Sequence, residues 1–298
     1  MKKFFKITLV NFLIIFLLLL VAECYCIYKE YKTCASSTYT FNFHLECLFK
    51  SYKNFNYINT SNMRGPSYPQ NQSSKPPLAI MGCSFAYGLG LKEDDTLAAQ
   101  LSSSTNRIVY NLGVIGSSPR EMLYILRNDS LRNELFGNRT DFEYIIYPYI
   151  SHHLFRLYNQ IKLFSLSPTF RKVGNSLEFY EVNKILLNSQ LYQEIVTALY
   201  GKIDKNETFD LLCLYFQEIN KEINKHFPNA KFVILVYENH PKNDFSVIDN
   251  EKIKVIDFKK LTGINLYDDK YKISKEDSHP NAKAWEVIVP ALVKELDL

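Results

Sequence analysis

The chain has 298 residues, of which 47% are hydrophobic and 22% are charged, so it can bury a core of ordinary size and is not a disordered protein. Its formal net charge is only +4, from 35 basic and 31 acidic residues. No stripe of basic residues interleaved with aromatic residues occurs, and this argues against nucleic-acid binding. The length favours one main domain with an anchor and an insertion over two large domains.

The N-terminus combines a basic start with an apolar run. Three lysines among the first six residues precede a mostly apolar run at residues 7–22. This pattern is typical of a signal peptide or a signal anchor, and flanking aromatic residues extend the run to the ~20 residues that span a membrane. Ala22 is followed by Glu23 and Cys24, which favours an uncleaved anchor over a removed signal. We therefore expect a transmembrane helix over residues 1–28, with the rest of the chain outside the cytoplasm.

Residues 29–77 have weak periodicity and end in a stretch rich in Ser, Asn and Pro, which predicts a juxtamembrane region and linker. From residue 78 onward, short apolar runs alternate with helical patterns. The runs that predict strands are 78–81, 107–112, 144–150, 231–237 and 254–258. Helices are predicted after Asp94 or Asp95, from Ser118, and over 209–227 and 281–296.

Strands that alternate with helices favour a parallel sheet covered on both faces, so residues 78–298 predict an α/β domain. Residues 154–208 interrupt the alternation and predict a mostly helical insertion over the site. In such a sheet, ligands bind beyond the carboxyl ends of the strands. Three sequence motifs are expected to meet there.

The first motif is Gly82-Cys83-Ser84, which comes directly after the first predicted strand, with Gly88 a few residues later. Glycine permits a tight turn, so Ser84 can be presented for attack while its own N–H faces a developing oxyanion. A plain strand-to-helix turn with a capping serine has the same pattern. The glycine-rich patterns that bind dinucleotides or nucleoside triphosphates are absent.

The second motif, just before the last predicted helix, contains Asp277 and His279. A serine hydroxyl needs a base to take its proton, and the pKa of histidine suits that role near neutral pH. Asp277 can hold the imidazole in the required tautomer, while Pro280 stiffens the turn and Asn281 can cap the helix. A surface histidine beside an ordinary helix start is the alternative.

The third motif contains Asn111 and Gly113 at the end of the second predicted strand. The N–H of Gly113 is a candidate second oxyanion donor, with Asn111 beside it; an ordinary strand-to-helix turn is the alternative. No cysteine or histidine spacing suggests a metal site, so we expect no metal and no cofactor.

These motifs resemble the SGNH/GDSL hydrolase superfamily over about residues 78–298. The family's first block is Gly-Asp-Ser, and residues 82–85 match a Gly-Cys-Ser-Phe variant of it. The residues that carry over are the nucleophile, the second-block glycine and the last-block Asp and His, here Ser84, Gly113, Asp277 and His279. The resemblance implies a three-layer α/β/α sandwich with a central parallel sheet, which is the flavodoxin-like SGNH hydrolase fold.

Two departures from the family pattern matter. The family's last block is Asp-x-x-His, whereas Asp277 stands only two positions before His279, and Glu276 has the usual spacing. Glu276 is therefore the rival for the orienting role. The third block normally supplies an Asn to the oxyanion hole, and this chain lacks it. Either His152 or His153 replaces that donor, or the hole is weaker.

The resemblance implies acyl-ester chemistry at Ser84. The leading hypothesis is a serine esterase that removes acyl or acetyl groups, with a cell-envelope or extracellular glycan, or an acylated small molecule, as its substrate. The second is an O-acyltransferase in which a sugar hydroxyl of a surface polysaccharide replaces water. The third is a non-catalytic envelope protein on the same fold, suggested by the missing Asn and the short spacing before His279.

Overall fold

The computed structural model describes residues 15–25, 28, 63–69, 73–158, 169–180, 205–237 and 244–298. The chain divides into two compact units. The larger unit comprises Tyr57–Tyr158, Ser167–Tyr180 and Ile203–Leu298, and it contains the sheet. The smaller unit comprises Met1–Asn56, Asn159–Leu166 and Glu181–Lys202, and residues 15–25 within it are helical.

The predicted anchor over residues 1–28 lies partly outside the described residues. In the part of the chain that the structure describes, no helix is both long enough and apolar enough to cross a membrane. The anchor therefore stays a prediction from the sequence.

The strands of the larger unit are β1 (Gly65–Ser67), β2 (Leu78–Gly82), β3 (Val109–Gly113), β4 (Tyr144–Tyr149), β5 (Thr169–Val173), β6 (Ser176–Tyr180), β7 (Lys231–Val236) and β8 (Ile253–Asp257). Its helices are α1 (Ser84–Tyr87), α2 (Leu97–Thr105), α3 (Pro119–Arg127), α4 (Asp129–Phe136), α5 (His152–Tyr158), α6 (Lys205–His226), α7 (Phe258–Thr262) and α8 (Ala282–Leu296).

Among the described residues, six strands form one sheet in the order β1-β3-β2-β4-β7-β8. The pairs are parallel, except that β1 runs antiparallel to β3 at the edge. The predicted α/β class with a central, mostly parallel sheet is confirmed. The chain passes from β2 to β3 on one side and then to β4 on the other, so the strand order reverses at β2. Ligands of open α/β sheets bind beyond the carboxyl ends of the strands at such a point.

Alternate side chains of β2 enter two different cores, because successive residues of a strand point to opposite faces of the sheet. Leu78 and Ile80 belong to a buried cluster that includes residues of α2 and α8. Ala79 and Met81 belong to a second cluster that includes residues of α3 and α6. Helices therefore cover the sheet on both faces and form three layers.

Capping residues define where the helices begin. Ser118 caps α3, and the carboxylate of Glu121 accepts a hydrogen bond from the Ser118 N–H at 2.7 Å, which completes a capping box. Asn281 caps α8, as the sequence predicts. The cap of α2 is Thr96 rather than Asp94 or Asp95, because the acidic residues form a preceding 3₁₀ turn, Glu93–Asp95.

Two strand pairings differ from the sequence prediction. β1 lies within the stretch that the sequence predicts to be linker, and it gains its hydrogen bonds from β3. The sequence predicts a mostly helical insertion at residues 154–208, but the described residues 169–180 form the antiparallel hairpin β5–β6. Residues 159–168 and 181–204 of that insertion lie outside the described part of the chain.

Candidate active site

Ser84 lies where β2 passes into α1, at the carboxyl edge of the sheet. Gly82 ends β2 with φ of 150°, and Cys83 is the N-cap of α1, so Ser84 is the first residue of that helix. The N–H groups of Gly88 and Leu89 both donate to the Ser84 carbonyl at 3.0 Å. These two bonds fold the chain back behind the serine, which is only 4% exposed. The carbonyl of Ser84 is therefore held by the residues that directly follow α1.

The strand end before Ser84 is also tied to the loop after β3. The Gly82 carbonyl accepts hydrogen bonds from the Val114 N–H at 2.8 Å and from the Ser117 hydroxyl at 2.7 Å. Ser117 in turn is linked to α5, because its carbonyl accepts a hydrogen bond from the Arg156 guanidinium at 2.6 Å. The turn that carries Ser84 thus has little freedom to move relative to the sheet.

His279 lies between Ser84 and Asp277. Its Nε2 atom is 2.8 Å from the Ser84 Oγ, and its Nδ1 atom is 2.5 Å from the Asp277 Oδ1. An ionised carboxylate can only accept a hydrogen bond, so Nδ1 carries a proton and donates a hydrogen bond to Asp277. Nε2 is then the acceptor for the Ser84 hydroxyl, which is the orientation that a general base needs. The three residues singled out by two distant motifs are adjacent.

The charge of Asp277 follows from its surroundings. Partial burial raises the pKa of this carboxyl, but hydrogen bonds from the backbone and the ring of His279, together with the charge of that ring, outweigh burial and lower the pKa below 3.8. The Asp277 side chain is 40% exposed, so solvent moderates these interactions. Asp277 is therefore an anion at neutral pH, as the hydrogen-bond direction requires.

Ser274 separates the two carboxylates that compete for His279 in the sequence. Its hydroxyl donates to the Glu276 carboxylate at 3.0 Å and accepts from the Asp277 N–H at 3.0 Å. Asp277 Oδ1 also accepts from the His279 backbone N–H at 3.0 Å. Asp277, at the shorter spacing, is therefore the residue that contacts the imidazole, and Glu276 is directed to Ser274.

Asn281 holds the segment that carries Asp277 and His279, which we call the His279 loop (residues 272–281). The Asn281 side-chain amide donates to the carbonyls of Lys270 at 2.9 Å and Lys272 at 2.8 Å. Its oxygen accepts an N–H from the first turn of α8 at 3.2 Å. One side chain therefore joins both ends of the loop to the helix. The sequence predicts the cap but not the two carbonyl contacts.

Phe85 supports the imidazole from one side. Its ring centroid lies 5.2 Å from that of His279 and 5.1 Å from that of Tyr237, and the phenyl side chain is buried. The ring restricts the orientations that the His279 side chain can adopt. Sequence reasoning missed this role, although the position of Phe85 directly after Ser84 was a usable signal.

Asn111 and Gly113 lie at the end of β3, beside α1. The Gly113 N–H donates to the Asn111 Oδ1 at 3.2 Å, and the Asn111 amide donates to the Tyr87 carbonyl at 3.4 Å. A Cβ on Gly113 would lie 2.2 Å from the Tyr87 nitrogen, so close backbone contact requires glycine here. Gly113 would have to exchange Asn111 for a substrate to act as an oxyanion donor, and that role stays a prediction.

The His153 side chain is buried in the core and is not exposed to a substrate. Its Nδ1 atom lies 3.1 Å from the Tyr147 hydroxyl, and its ring packs against Tyr149. Burial, with the nearby positive charge of Arg156, lowers the pKa of His153 well below 6.5, so the imidazole is neutral. His152 is exposed at the start of α5. The Asn that is missing from the third block therefore has no evident replacement in His153.

No protein-family model and no curated protein matches the chain. It is similar to the solved structure of an acetyl xylan esterase from the rumen bacterium Butyrivibrio proteoclasticus, at 13% identity and a TM-score of 0.42. That match covers 76% of this chain and 64% of the esterase, so the chain spans less than two thirds of that protein. A protein described as lipolytic, of the G-D-S-L family, from Desulfitobacterium hafniense DCB-2 matches at 12% identity and a TM-score of 0.41. Here the match covers 74% of this chain and 99% of the other.

A salicylyl-acyltransferase from a tetracycline biosynthetic pathway is also similar, at 13% identity and a TM-score of 0.40, over 76% of this chain and 56% of that one. The Desulfitobacterium hafniense protein is described by the name of the family that the sequence motifs resemble. At TM-scores below 0.5 the likenesses carry no conclusion about activity. The functional argument therefore depends on the geometry around Ser84.

Proposed function

We propose that the chain is a serine esterase of the SGNH type that hydrolyses acyl esters, with Ser84, His279 and Asp277 as its catalytic residues. The observation that carries this proposal is the continuous hydrogen-bonded series from the Ser84 Oγ through both nitrogens of His279 to Asp277. A capping serine or a surface histidine would not require this arrangement. The same arrangement argues against a non-catalytic protein on this fold.

The reaction begins with the attack of the Ser84 Oγ on the ester carbonyl carbon, while the hydroxyl proton passes to the Nε2 of His279. Asp277 stabilises the imidazolium that forms. His279 then gives the proton to the leaving alkoxide as the carbon–oxygen bond of the ester breaks, which leaves the acyl group on Ser84. Water then attacks the acyl carbon while His279 takes its proton. The bond between that carbon and the Ser84 Oγ breaks, His279 returns the proton to the Oγ, and the free acid is released.

The oxyanion of each tetrahedral intermediate needs N–H donors. The N–H groups at the start of a helix lack partners within the helix, and Ser84 is the first residue of α1. We propose the Ser84 N–H as one donor and Gly113, after release from Asn111, as a second. Since one such donor is worth ~3 kcal/mol, the missing third-block Asn predicts a slower enzyme than family members that retain it.

Substitution of Ser84 tests the proposal. Ser84→Ala in the full chain is expected to lower the hydrolysis of short acyl esters by at least about 10³-fold and to abolish labelling by a fluorophosphonate probe. Cys83→Ala is the matched control, because Cys83 is the residue next to Ser84 and its side chain is fully buried. Unchanged hydrolysis in Ser84→Ala, or loss of labelling only in Cys83→Ala, would refute the assignment.

The substrate class is the finer part of the proposal. The predicted position outside the cytoplasm supports an O-acetylated or otherwise acylated cell-envelope or extracellular glycan, and a small acyl ester is the alternative. Transfer of the acyl group to a sugar hydroxyl uses the same three side chains. Incubation with an acyl ester and a glycan acceptor separates the two reactions. An acylated glycan indicates transfer, and free acid alone indicates hydrolysis.

The N-terminal anchor and the location outside the cytoplasm are likewise proposals. They are supported by the three lysines that precede the apolar run at residues 7–22. Reporter enzymes fused after residue 62 in a bacterial host test them. Alkaline phosphatase, which is active only when exported, should be active in this fusion, and β-galactosidase should not. The reverse result would contradict the proposed location.

A further inference from the structure

Arg64 clamps the loop behind the nucleophile, although the sequence places it in a predicted linker. Its Nη2 atom donates to the Gly88 carbonyl at 3.0 Å and to the Leu91 carbonyl at 2.8 Å. Its Nη1 atom donates to the Glu93 carboxylate at 2.9 Å, and its guanidinium carbon lies 4.6 Å from the centre of the Tyr87 ring. These contacts fall on the chain from Tyr87, the last residue of α1, to Glu93, before α2.

The segment that Arg64 holds, Gly88–Leu91, is the one that fixes Ser84. While the Gly88 carbonyl accepts from Arg64, the Gly88 N–H donates to the Ser84 carbonyl, as does the Leu89 N–H. The route from the guanidinium to the backbone of Ser84 is therefore one residue and two hydrogen bonds long.

The same segment also borders the His279 loop. A Cβ on Gly90 would lie 3.2 Å from the Cδ1 of Ile273, so the two loops are in close contact at that point. The Ile273 N–H donates to the His279 carbonyl at 2.9 Å. The segment held by Arg64 thus touches the chain on both sides of the 2.8 Å contact between Ser84 and His279.

We infer that Arg64 is a positioning residue of the active site, which holds the Gly88–Leu91 loop so that Ser84 and His279 stay in hydrogen-bond contact. The inference rests on the proposed function, since it assigns a role within that site. It also makes the residues around β1 part of the catalytic unit, although they precede the first core strand β2.

Arginine suits this role better than lysine. One planar guanidinium reaches two carbonyls and one carboxylate while it stacks on Tyr87, and an ammonium cannot reproduce that fork. Removal of Arg64 would leave the carbonyls of Gly88 and Leu91 without this donor, and buried groups that lose a partner cost free energy. The loop is expected to relieve that cost by moving away from its present position.

The matched control is Arg132 of α4. Its guanidinium also joins a backbone carbonyl, that of Leu126 at 2.8 Å, to a carboxylate, that of Asp129 at 2.7 Å. The Arg132 side chain is 14% exposed and that of Arg64 is 15% exposed. α4 leads into the amino end of β4, away from the carboxyl edge that carries Ser84. Arg132→Ala therefore removes similar chemistry from a place that does not hold the nucleophile.

The experiment measures kcat and KM of Arg64→Ala, Arg64→Lys and Arg132→Ala with a short acyl ester, well below the melting temperature of each variant. A displacement of about 1 Å in a reacting group can cost ~10²-fold. We expect kcat of Arg64→Ala to fall about that far with little change in KM, Arg64→Lys to recover part of the loss, and Arg132→Ala to match the wild type. If Arg64→Ala does not fold, a lower kcat with little change in KM in Arg64→Lys is the deciding result.

Three results would overturn the inference. Unchanged kcat in folded Arg64→Ala would show that the clamp is dispensable. An equal fall in Arg132→Ala would show a general loss of stability. A rise in KM at constant kcat would make Arg64 a binding residue, which is a role open to it because it also borders a groove of about 840 Å³ with Tyr68, Gln100 and Glu286.

A readout that does not depend on catalysis separates this inference from the proposed function. The amide protons of Gly88 and Leu89 donate to the Ser84 carbonyl, so their hydrogen exchange should become faster in Arg64→Ala and stay unchanged in Arg132→Ala. Suppose that Ser84→Ala has unchanged hydrolysis and that exchange is faster in Arg64→Ala. Then Arg64 does hold the loop, but the proposed esterase function is wrong. Unchanged exchange would refute the clamp even in an active esterase.

Discussion

The Nε2 of His279 lies 2.8 Å from the Oγ of Ser84, although 195 positions separate the two residues in the chain. One belongs to the turn after β2 and the other to the loop before α8. Their contact depends on tertiary packing, since residues of α8 and of β2 belong to the same buried cluster. Substitutions can therefore act on the contact directly or through the elements that hold it.

The two neighbouring acidic residues of the His279 loop should behave differently. Asp277→Asn replaces the acceptor that holds the His279 tautomer, so kcat/KM is expected to fall by about 10⁴-fold with the fold retained. Glu276→Gln should leave kcat/KM close to the wild-type value, because that carboxylate contacts Ser274 rather than the imidazole. Steady-state kinetics at neutral pH check both. A larger loss in Glu276→Gln than in Asp277→Asn would reverse the assignment.

Asn281 offers a test of how the His279 loop is held. Asn281→Ala removes the cap of α8 and both carbonyl contacts, whereas Asn281→Ser keeps an acceptor for the cap and loses the two amide donors. We expect Asn281→Ala to lower the free energy of unfolding by about 1 kcal/mol and Asn281→Ser to lower it less. Both should reduce kcat. A variant with wild-type kcat would show that the donors do not hold the loop.

Much of the fold was predictable because its signals are local. Apolar runs that end at glycine predict the buried strands, and Ser118 followed by Pro119 marks the start of α3. β1 was not predictable, since a three-residue Gly-Pro-Ser strand has no pattern of its own and exists through its pairing with β3. The hairpin β5–β6 did have a signal, the Gly174-Asn175 turn between two strands, where Gly174 has φ of 59°.

The candidate site, too, was predictable from the sequence only in part. The motifs alone predict that Ser84 and His279 lie at the same edge of the sheet. Ser84 follows the carboxyl end of a strand, and His279 precedes a helix that begins at that edge. They cannot choose between Glu276 and Asp277, which are adjacent in the sequence and are distinguished only by their contacts with Ser274 and His279 in the fold. Nor can they show that the Gly113 N–H is already bonded to Asn111, since that depends on the local shape of the strand end.

The glycine at position 113 should be needed for packing whatever its part in catalysis. Gly113→Ala would place a methyl group 2.2 Å from the Tyr87 nitrogen, and the nearest atoms all belong to the backbone of Ala86 and Tyr87, which leaves little room to adjust. We expect the free energy of unfolding to fall by about 3 kcal/mol or more. Gly263→Ala is the control, because its Cβ would meet nothing within 4 Å and only its left-handed backbone, with φ of 71° and ψ of 1°, opposes the change, at a cost of about 1 kcal/mol. Denaturant titration measures both, and equal losses would contradict the packing argument.

The buried His153 should make the protein sensitive to mild acid. Burial lowers its pKa well below 6.5 in the folded state, so below about pH 6.5 the unfolded chain binds a proton that the folded chain does not. The contribution of His153 to the free energy of unfolding is therefore fully present above pH 6.5. It declines as the pH falls, by up to about 1.4 kcal/mol per pH unit. His153→Gln cannot take up the proton. Its free energy of unfolding, compared with that of the wild type at pH 7.5 and 5.5, should decline less, and an equal decline would contradict the argument.

The wide separation of Ser84 and His279 along the chain also has a consequence during protein synthesis. A ribosome completes the nucleophile turn long before it reaches the base and α8, which follow it in the chain. A chain that stops before His279, through a nonsense codon or proteolysis, would present a serine with no proton acceptor. The proposed activity is therefore expected only in chains that extend through α8 and have docked it, so hydrolysis distinguishes these chains from shorter ones.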